Sequence, residues 1–572
     1  MAKGENMAKI FREFTPEKLE QVRTHPYYKT ARETIIARAD EYCVTEPPVI
    51  KFSKIHLYVE NGNREIFERD HIEYETRLHA LFDAYIITED EKYLTPLADI
   101  IWNICDMESW SIPAHVSEAL PIEERRRNLD LCSCIIGYRI SEVIHFVGDK
   151  LPELVTRRAK AEVQYRVIDS FKVAKPDRYF WLTTHNNWAA VCIAGVLCSY
   201  LYLATEEEIK EQLPRMIEIA DHYLAGFEDD GCCTEGYGYW NYGFSFFCVF
   251  AKMLLDYTDG EINYFARDKV HKIAMFQQNI LLNERECLSF SDGGLTFEPY
   301  AWMSHFLKGI YPDMQLPALP DECVIDYATA PLQQGTPIRY IIWTNPDLVG
   351  ATLEPKSHIF GNAEWFLHHA EGYALGAKAG HNDEFHNHND VGSFIISKGG
   401  RVTFCDPGGG EYTKEYFGKG RYSIFVTSGR AHSVPVINGE FQSFGKREGG
   451  VLIAEDNRFK FSMKGGYELD TLNSLVRDFE CLKDGVRLTD TFEFSEQPTS
   501  VSERFVSLLP IEECDEGLRC GDSVMTYDKD AFDVSFGSEV VARKRSIKET
   551  VYYVDLMAKK LDKSLEFTFN FK

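Results

Sequence analysis

The apolar residues of this chain change their spacing part-way along it, and that change limits the possible folds more than any other feature. From about residue 15 to residue 310 they recur at intervals of three and four, the spacing of amphipathic helices. Beyond residue 337 they alternate with polar residues between Asp-Gly and Gly-Gly turns, which predicts antiparallel strands. Helices followed by strands predict an α+β chain of two domains.

The predicted domains follow from these boundaries. Residues 1–310 hold seven or more helical segments on short connections, which favours a layered helical array or toroid. Residues 311–337 are rich in proline and lack either period, so we expect a linker. Residues 338–572 are expected to form an antiparallel β-sandwich, with RYIIWT as its first strand. A chain of 572 residues is also too long for one compact core.

Charge and hydropathy exclude several classes of protein. Lys and Arg number 62 against 89 Asp and Glu, a net charge of −27, which argues against a protein that coats nucleic acid or an anionic membrane. A local basic cleft for a polyanion remains compatible with that total. The longest apolar run, Trp188 to Leu203, is shorter than the roughly 20 residues of a membrane span. It therefore predicts a buried helix, and we expect neither nucleic acid nor a membrane as a partner.

The cysteines and the N-terminal sequence indicate a reducing compartment. There are 15 cysteines, an odd number, and many lie within apolar runs. The opening residues, MAKGENMAKIFREF, lack the apolar segment of a secretory signal. We therefore expect reduced thiols and a cytoplasmic location, with the periplasm or secretion as the alternative if a signal has been removed.

Histidines are concentrated in one segment of the predicted β domain. Six of the 17 lie within 31 residues, and the sharpest part of that segment is HNHNDVGSF. On an extended chain His386 and His388 would point to the same side, so one could hold a metal while the other faces a substrate. Asp406 and His432 follow, and two imidazoles with one carboxylate can bind zinc. The alternative is that these are loop histidines without a ligand.

Two motifs in the helical half also carry polar or aromatic groups. THNNW places His185, Asn186 and Asn187 directly before the long apolar helix. One asparagine is expected to cap that helix, and the remaining groups are suited to an anionic oxygen. EGYGYWNYG alternates aromatic residues with glycines, which is consistent either with packing or with a sugar-binding cleft.

Taken in order, THNNW, EGYGYWNYG, HNHNDVGSF, CDPGGG and RAHSVPVING resemble motifs of the heparinase II/III-like polysaccharide lyases. The resemblance covers the chain from about residue 70 onward, and HxHxDxGSF is its most specific part. It implies an (α/α) toroid followed by an antiparallel β-sandwich, with the sugar chain bound where the two meet. It also implies cleavage of uronic-acid-containing glycosaminoglycans by β-elimination, which yields 4,5-unsaturated uronates.

The resemblance further implies roles for individual residues. Asn187 or Asn186 would bind the uronate carboxylate, with His185 beside them. His386 would be the base for one C5 epimer. A tyrosine would be the base for the other epimer and the general acid, with Tyr242 as first choice and Tyr239 as second.

The implied metal ligands are His388, Asp406 and His432, with zinc as the expected ion and manganese as the alternative. Relatives often have Asn-His before this helix, whereas this chain has His-Asn-Asn. Substrate binding is assigned to four residues, Trp240, Tyr237, Arg421 and Arg430.

Three alternatives stay open at this point. The same mechanism would serve a lyase for alginate or another uronate polymer. A glycoside hydrolase on a helical toroid would instead use paired carboxylates, for which Glu235 with Asp229 or Asp230 are the candidates. A non-catalytic carbohydrate-binding protein would need neither set. The oligomeric state is not predicted.

Overall fold

The computed structural model describes residues 10–327, 337–348, 350, 352–445, 450–543 and 547–572. It divides into two compact units, and neither is continuous in sequence. The first unit comprises Met1–Gly226, Asn241–Val270 and Pro299–Ala351. The second comprises Phe227–Trp240, His271–Glu298 and Thr352–Lys572. The predicted order of helices followed by antiparallel sheets is confirmed, and the arrangement of the helices as a toroid stays a prediction.

All of the described α-helices lie before residue 344. In chain order they are α1 Pro16–Thr24, α2 Lys29–Tyr42, α3 Phe52–Asn61, α4 Glu65–Thr88, α5 Leu94–Asp106, α6 Ile122–Arg126, α7 Leu131–Val147, α8 Glu153–Val163, α9 Asp169–Val173, α10 Asn187–Leu203, α11 Glu206–Ala225, α12 Tyr237–Tyr257, α13 Asp268–Met275, α14 Ala301–Ile310 and α15 Pro337–Trp343.

Polar side chains fix where several of these helices begin. Asp130 and Ser133 form a capping box at the start of α7, and Thr205 and Glu208 form another at the start of α11. In each box, two backbone N–H groups that the helix leaves unpaired are satisfied by side chains. Short local sequence motifs therefore determine where α7 and α11 begin.

Helix α10 is buried on nearly all sides, as the apolar run predicts. Of its 17 residues 15 are buried. A Cβ atom at Gly195 would lie 2.5 Å from the carbonyl oxygen of Cys134 on α7, so glycine is needed for the close approach of these helices. Among the described helices, none combines the length and apolar character needed to cross a membrane.

The cysteines behave as packing residues. All 15 are free thiols, and 12 of them are buried. Burial raises the pKa of the Cys105 thiol to about 12, which keeps it in the protonated, unreactive form.

One predicted strand is a helix. The first five residues of RYIIWT, Arg339 to Trp343, belong to α15, and every residue from Pro337 to Trp343 is buried. Arg339 forms a fully buried ion pair with Glu142 of α7 and donates a hydrogen bond to the Tyr202 hydroxyl at 2.9 Å. The segment therefore packs into the first unit, and its charged residue has its partners there.

The domain limits also differ from those expected. The proposed linker at 311–337 falls in the first unit, where Met314 and Leu316 are buried, while its residues 328–336 lie outside the described part of the chain. The second unit takes in 227–240 and 271–298, which were assigned to the helical domain. Proline content alone does not reveal that a segment without periodicity is packed against a core.

The second unit contains three antiparallel sheets. Its strands are β1 His358–Phe360, β2 Trp365–Ala370, β3 Tyr373–Lys378, β4 Phe394–Lys398, β5 Arg401–Phe404, β6 Val436–Ile437, β7 Gly450–Glu455, β8 Arg458–Ser462, β9 Leu472–Leu482, β10 Gly485–Phe494, β11 Val501–Ser507, β12 Ile511–Cys514, β13 Gly517–Cys520, β14 Ser523–Thr526, β15 Phe532–Ala542, β16 Lys548–Ala558 and β17 Ser564–Phe571.

The strand order places neighbouring strands largely in hairpins. The three sheets run β1-β2-β3-β4-β5, β12-β13-β14-β17-β10-β9-β8-β7 and β15-β16-β11-β6. The β4–β5 hairpin turns at Gly399 and Gly400, whose φ angles are +63° and +78°. Both positions need a left-handed backbone, which is why two glycines stand there.

Phenylalanines from all three sheets share one core. Phe394 of β4 lies 5.5 Å from Phe571 of β17 and 6.2 Å from Phe505 of β11, measured between ring centroids. All three rings are fully or almost fully buried. This core supports the loops that follow β3 and β5, which carry the histidines and Asp406.

Candidate active site

The two histidines of the HxH motif lie in the loop between β3 and β4. His388 is fully buried, and the His386 side chain is 16% exposed. The expectation of an extended chain here is wrong, because His386 has a left-handed backbone with φ +57°. Such a conformation is costly for a residue with a side chain and persists only where its surroundings enforce it.

Both imidazoles contact one carboxylate, that of Asp292. His386 donates from Nδ1 to Oδ2 of Asp292 at 2.7 Å, and His388 donates from Nε2 to Oδ1 at 2.9 Å. A carboxylate only accepts hydrogen bonds, so the proton must lie on those two nitrogens. Asp292 follows Ser291, which is also left-handed with φ +61°, so both sides of this contact carry backbone strain.

Three more donors surround Asp292. The Tyr416 hydroxyl and Arg421 donate to Oδ1, the latter at 3.1 Å, and the Tyr412 hydroxyl donates to Oδ2 at 3.3 Å. Burial alone would raise the pKa of the Asp292 carboxyl. The hydrogen bonds from His386 and His388 outweigh burial and hold that pKa well below its usual range, so the group is ionised.

Tyr239 lies against the face of His386. The two rings are stacked with 3.9 Å between their centroids and 21° between their planes. The Tyr239 hydroxyl is hydrogen-bonded to the Tyr412 hydroxyl. Burial raises the pKa of Tyr239 well above its usual value, so the phenol carries its proton.

Glu235 lies beside the other edge of the same imidazole. Its Oε2 is 3.4 Å from Nε2 of His386 and has no hydrogen-bond partner. Burial raises the pKa of Glu235 to about 7. The Nε2 edge of His386 thus faces a buried carboxyl group that gains and loses its proton near neutral pH.

The HxHxDxGSF motif accounts for the shape of this loop. Asp390 forms a buried ion pair with Lys378 of β3 at 2.7 Å, which ties the loop to the sheet. Gly392 has φ +92°, a conformation that favours glycine. Ser393 donates to Oδ2 of Asp406 at 2.9 Å. Each of these three motif residues therefore positions the loop or its neighbours.

His388, Asp406 and His432 converge in the interior. Their candidate ligand atoms all lie within 4.8 Å of one another, and all three residues are fully buried. His388 Nδ1 is buried without a hydrogen-bond partner, while its Nε2 is used by Asp292. His432 donates from Nε2 to the carbonyl oxygen of Val426 at 3.0 Å, and its Nδ1 lies 2.9 Å from Asp406 Oδ2.

These residues fit a divalent metal ion. Metal-bound imidazoles usually donate their second N–H to a carboxylate or backbone carbonyl, and both histidines do so here. Burial lowers the pKa of His388, which favours the neutral form that metals bind. Burial would raise the pKa of Asp406, but His432 lowers it to about 2, so the carboxylate is ionised.

In the first unit, the THNNW motif separates into different roles. Asn186 is the N-cap of α10, and its side chain accepts from the Trp188 N–H at 3.1 Å. His185 is exposed and stacks on His222. Asn187 is only 5% exposed, and within the described residues its amide makes no hydrogen bond.

The aromatic residues of EGYGYWNYG also separate. Trp240 is fully buried and donates to the carbonyl oxygen of Ile273 at 2.8 Å, and Tyr237 packs on Phe297. The prediction that Trp240 and Tyr237 bind sugar is therefore wrong. Both side chains are buried, so neither ring offers an open face to a ligand. Tyr242, the first-choice tyrosine, lies in the first unit with its ring against Phe246.

Internal partners occupy the two candidate arginines. Arg421 donates to Asp292 and to the carbonyl oxygen of Asn387 at 3.0 Å. Arg430 donates to the carbonyl oxygen of Ser423 at 2.6 Å. Both arginines, expected to bind substrate, thus stabilise the loops that carry the histidines.

Two carboxylates of the hydrolase alternative, those of Asp230 and Glu235, have different partners. Asp230 accepts hydrogen bonds from the backbone N–H groups of Cys232, Asn362 and Ala363. It therefore joins two loops of the second unit. Of the proposed set, Glu235 is the carboxylate that contacts His386.

Solved structures of polysaccharide lyases share this architecture. A heparinase III structure matches with a TM-score of 0.62 at 13% identity, over 99% of this chain and 93% of that one. The chain has the fold of heparinase III. The family resemblance predicted from the motifs is thus confirmed in the fold.

Two further structures give similar agreement. Heparan sulfate lyase HepC from Pedobacter heparinus matches with a TM-score of 0.55 at 12% identity, over 99% of this chain and 92% of that one. The chondroitin AC lyase of Streptomyces coelicolor A3, in complex with chondroitin sulphate, matches with a TM-score of 0.55 at 11% identity, over 97% of this chain and 81% of that one. A scan of protein-family models finds no match, and neither does a search of curated sequences.

Sequence reasoning missed the residue at the centre of the site. Asp292 stands in FSDGGL, where an aspartate before two glycines is typical of a simple turn. Tyr412 and Tyr416 lie four and eight residues after Gly408, in a segment without periodicity. The sequence signal that could have identified Asp292 is an acidic residue in a glycine-containing turn, and that signal is weak.

Proposed function

We propose that this chain is a polysaccharide lyase that cleaves uronic-acid-containing glycosaminoglycans by β-elimination and releases 4,5-unsaturated uronates. One observation carries the proposal. The Tyr239 phenol stacks on the His386 imidazole at 3.9 Å, and that imidazole is oriented by Asp292. A general acid and a general base thus lie together on a fold shared with heparinase III.

The reaction sets three requirements. The C5 proton of a uronate is weakly acidic, because the adjacent carboxylate is already negative and delocalises further charge poorly. An enzyme must bind or neutralise that carboxylate, remove the C5 proton and protonate the departing O4.

In the proposed mechanism His386 Nε2 accepts the C5 proton. The electron pair of the C5–H bond forms the C4–C5 double bond, the C4–O4 bond breaks, and O4 takes the proton of the Tyr239 hydroxyl. What supports His386 as the base is that its Nδ1 is committed to Asp292, which leaves Nε2 with the lone pair. What supports Tyr239 as the acid is that burial keeps its phenol protonated.

We assign the uronate carboxylate to Asn187. Its side-chain amide makes no hydrogen bond within the described residues, so the amide N–H groups are available to a ligand oxygen. Asn186 already caps α10, so it is the weaker choice.

An aromatic surface for sugar is available beside His386. Phe417 is 54% exposed, and its ring meets the imidazole edge-on with 6.5 Å between centroids. An exposed ring next to the base offers the apolar face on which a sugar can stack. We propose Phe417 for this role in place of Trp240.

His388, Asp406 and His432 would hold the metal, with zinc preferred for two imidazoles and a carboxylate. When bound, the ion would cross-link the loops that carry these three residues. His386 itself keeps both nitrogens outside this set, because Nδ1 contacts Asp292 and Nε2 lies near Glu235.

The experiment is incubation with heparan sulfate, chondroitin sulfate, dermatan sulfate, hyaluronan and alginate while ultraviolet absorbance is recorded. A rise with a glycosaminoglycan, lost in His386→Ala, supports the proposal. A rise with alginate alone moves the activity to another uronate polymer. New reducing ends without a rise in absorbance indicate hydrolysis and contradict the proposal.

A further inference from the structure

Asp292 is the one described residue that accepts a hydrogen bond from both imidazoles of the HxH motif. We propose that Asp292 is a positioning residue that selects the tautomer of both, so that His386 presents a lone pair at Nε2 and His388 presents one at Nδ1. This inference rests on the proposed function, because it gives the reason why His386 is ready to act as a base.

The argument begins with the chemistry of imidazole. A neutral ring carries one N–H and one lone pair, and the partner of one nitrogen decides the state of the other. Asp292 takes the Nδ1–H of His386 and the Nε2–H of His388. It therefore leaves opposite nitrogens free, which suits a base on one ring and a metal ligand on the other.

The surroundings of the freed nitrogens agree with this assignment. Nε2 of His386 is on a partly exposed side chain and faces Glu235 at 3.4 Å. Nδ1 of His388 is buried without a hydrogen-bond partner, within the group formed with Asp406 and His432. One lone pair is thus available to a substrate and the other to a metal.

The two oxygens of Asp292 are not equivalent, and this makes the proposal testable. Oδ1 accepts from His388, Tyr416 and Arg421. Oδ2 accepts from His386 and, at 3.3 Å, from Tyr412. In Asp292→Asn the amide oxygen should stay with the three donors, including the charged arginine, and the NH₂ group should then face His386.

An NH₂ group beside Nδ1 can only donate, so the proton of His386 would move to Nε2 and the base would be lost. We expect kcat of Asp292→Asn to fall about 10³- to 10⁴-fold, as for a wrong tautomer in other acid–base enzymes, with KM within about threefold. Zinc affinity should stay within about threefold. Asp292→Ala removes both contacts and should also weaken zinc binding about 10- to 100-fold.

The experiment measures turnover, zinc affinity by competition with a chelator, and the imidazole nitrogen-15 shifts of histidine-labelled full-length chain. The His386 signals are assigned by their loss in His386→Gln. Tyr416→Phe is the control, because it removes one donor to Asp292 without touching either imidazole, and it should change zinc affinity by less than about threefold.

The expected result is a change of His386 from the Nδ1–H to the Nε2–H tautomer in Asp292→Asn, with zinc retained. An unchanged tautomer, or equal loss of zinc in the Asn and Ala variants, overturns the inference, as does a wild-type chain that binds no zinc. If wild type cleaves no uronate polymer, the proposed function fails, while tautomer and zinc affinity still decide the inference.

Discussion

Replacing Tyr239 with phenylalanine separates the chemistry of its phenol from the packing of its ring. The ring that stacks on His386 at 3.9 Å is kept, and the hydroxyl that hydrogen-bonds to Tyr412 is lost. Losing that hydrogen bond should lower the free energy of unfolding by about 0.5–1.5 kcal/mol. Losing a general acid should lower kcat by about 10²- to 10⁴-fold, or roughly 3–5 kcal/mol of barrier.

Tyr412→Phe is the control, because it breaks the same hydrogen bond from the other side and also removes the Tyr412 donor to Asp292 Oδ2. Its midpoint in urea unfolding should be equal to or lower than that of Tyr239→Phe, while its kcat should stay within about tenfold of wild type. The assay is the initial rate of ultraviolet absorbance increase on the polymer that wild type cleaves best.

Tyr242→Phe belongs in the same series, because the sequence motif favoured Tyr242. If Tyr239→Phe turns over as fast as Tyr412→Phe, and Tyr242→Phe is the inactive variant, then the ring contact with His386 does not identify the acid and the reasoning fails.

Three more predictions follow from single contacts. Asn186→Ala removes an N-cap, so it should lower the free energy of unfolding in urea by about 1 kcal/mol and leave turnover unchanged. Asn187→Ala should lower kcat/KM by at least about 10²-fold with little loss of stability. The reverse pattern would exchange the roles of the two asparagines. Gly408→Ala should destabilise the fold by more than about 2 kcal/mol, because φ is +69° and the added Cβ would clash with a backbone carbonyl. Gly400→Ala is the control: φ is +78° but the Cβ would meet open space, so the loss should be only about 1–2 kcal/mol. Equal losses in the two variants would show that the clash does not matter. Because burial raises the pKa of Glu235 from 4.5 to about 7, the folded state holds a proton that the unfolded state has lost between those values. Stability should therefore fall by up to about 3 kcal/mol as pH rises through that window, and urea titrations of Glu235→Gln at both ends should lack this fall.

The sequence was most informative where residue type and spacing act locally. His388, Asp406 and His432 come from three loops, and each stands in a short motif whose residue types suit a metal site. The structure brings them together, although no local pattern measures distance between loops. The residue types predicted only a group of candidates, with His386 and His388 both open as the ligand, and the family resemblance then selected His388 with Asp406 and His432.

Contacts made over long separations were not predictable. Asp292 and His386 are 94 residues apart, and neither sequence context indicates the other. The prediction of a strand at RYIIWT was wrong for a different reason. A short apolar run does not distinguish a buried strand from a buried helix. Its conformation is settled by the partner of Arg339, Glu142 on α7, which lies 197 residues away.

The tyrosines show a third limit. Tyr239 and Tyr242 lie three residues apart and carry the same chemical group, so residue type cannot choose between them. Only the rotation of α12 and the position of its first turn bring one ring onto His386.

The second unit is assembled from three stretches of chain, and this has a consequence for how the protein is made. The polypeptide passes between units after residues 226, 240, 270, 298 and 351. Asp292 leaves the ribosome 129 residues before Arg421, an interval of roughly 6–26 s at about 5–20 residues per second. During that interval the Asp292 carboxylate lacks the Arg421 guanidinium that will neutralise its charge. Because stretches 241–270 and 299–351 of the first unit lie between these parts, any continuous segment that carries the whole second unit also carries those two stretches.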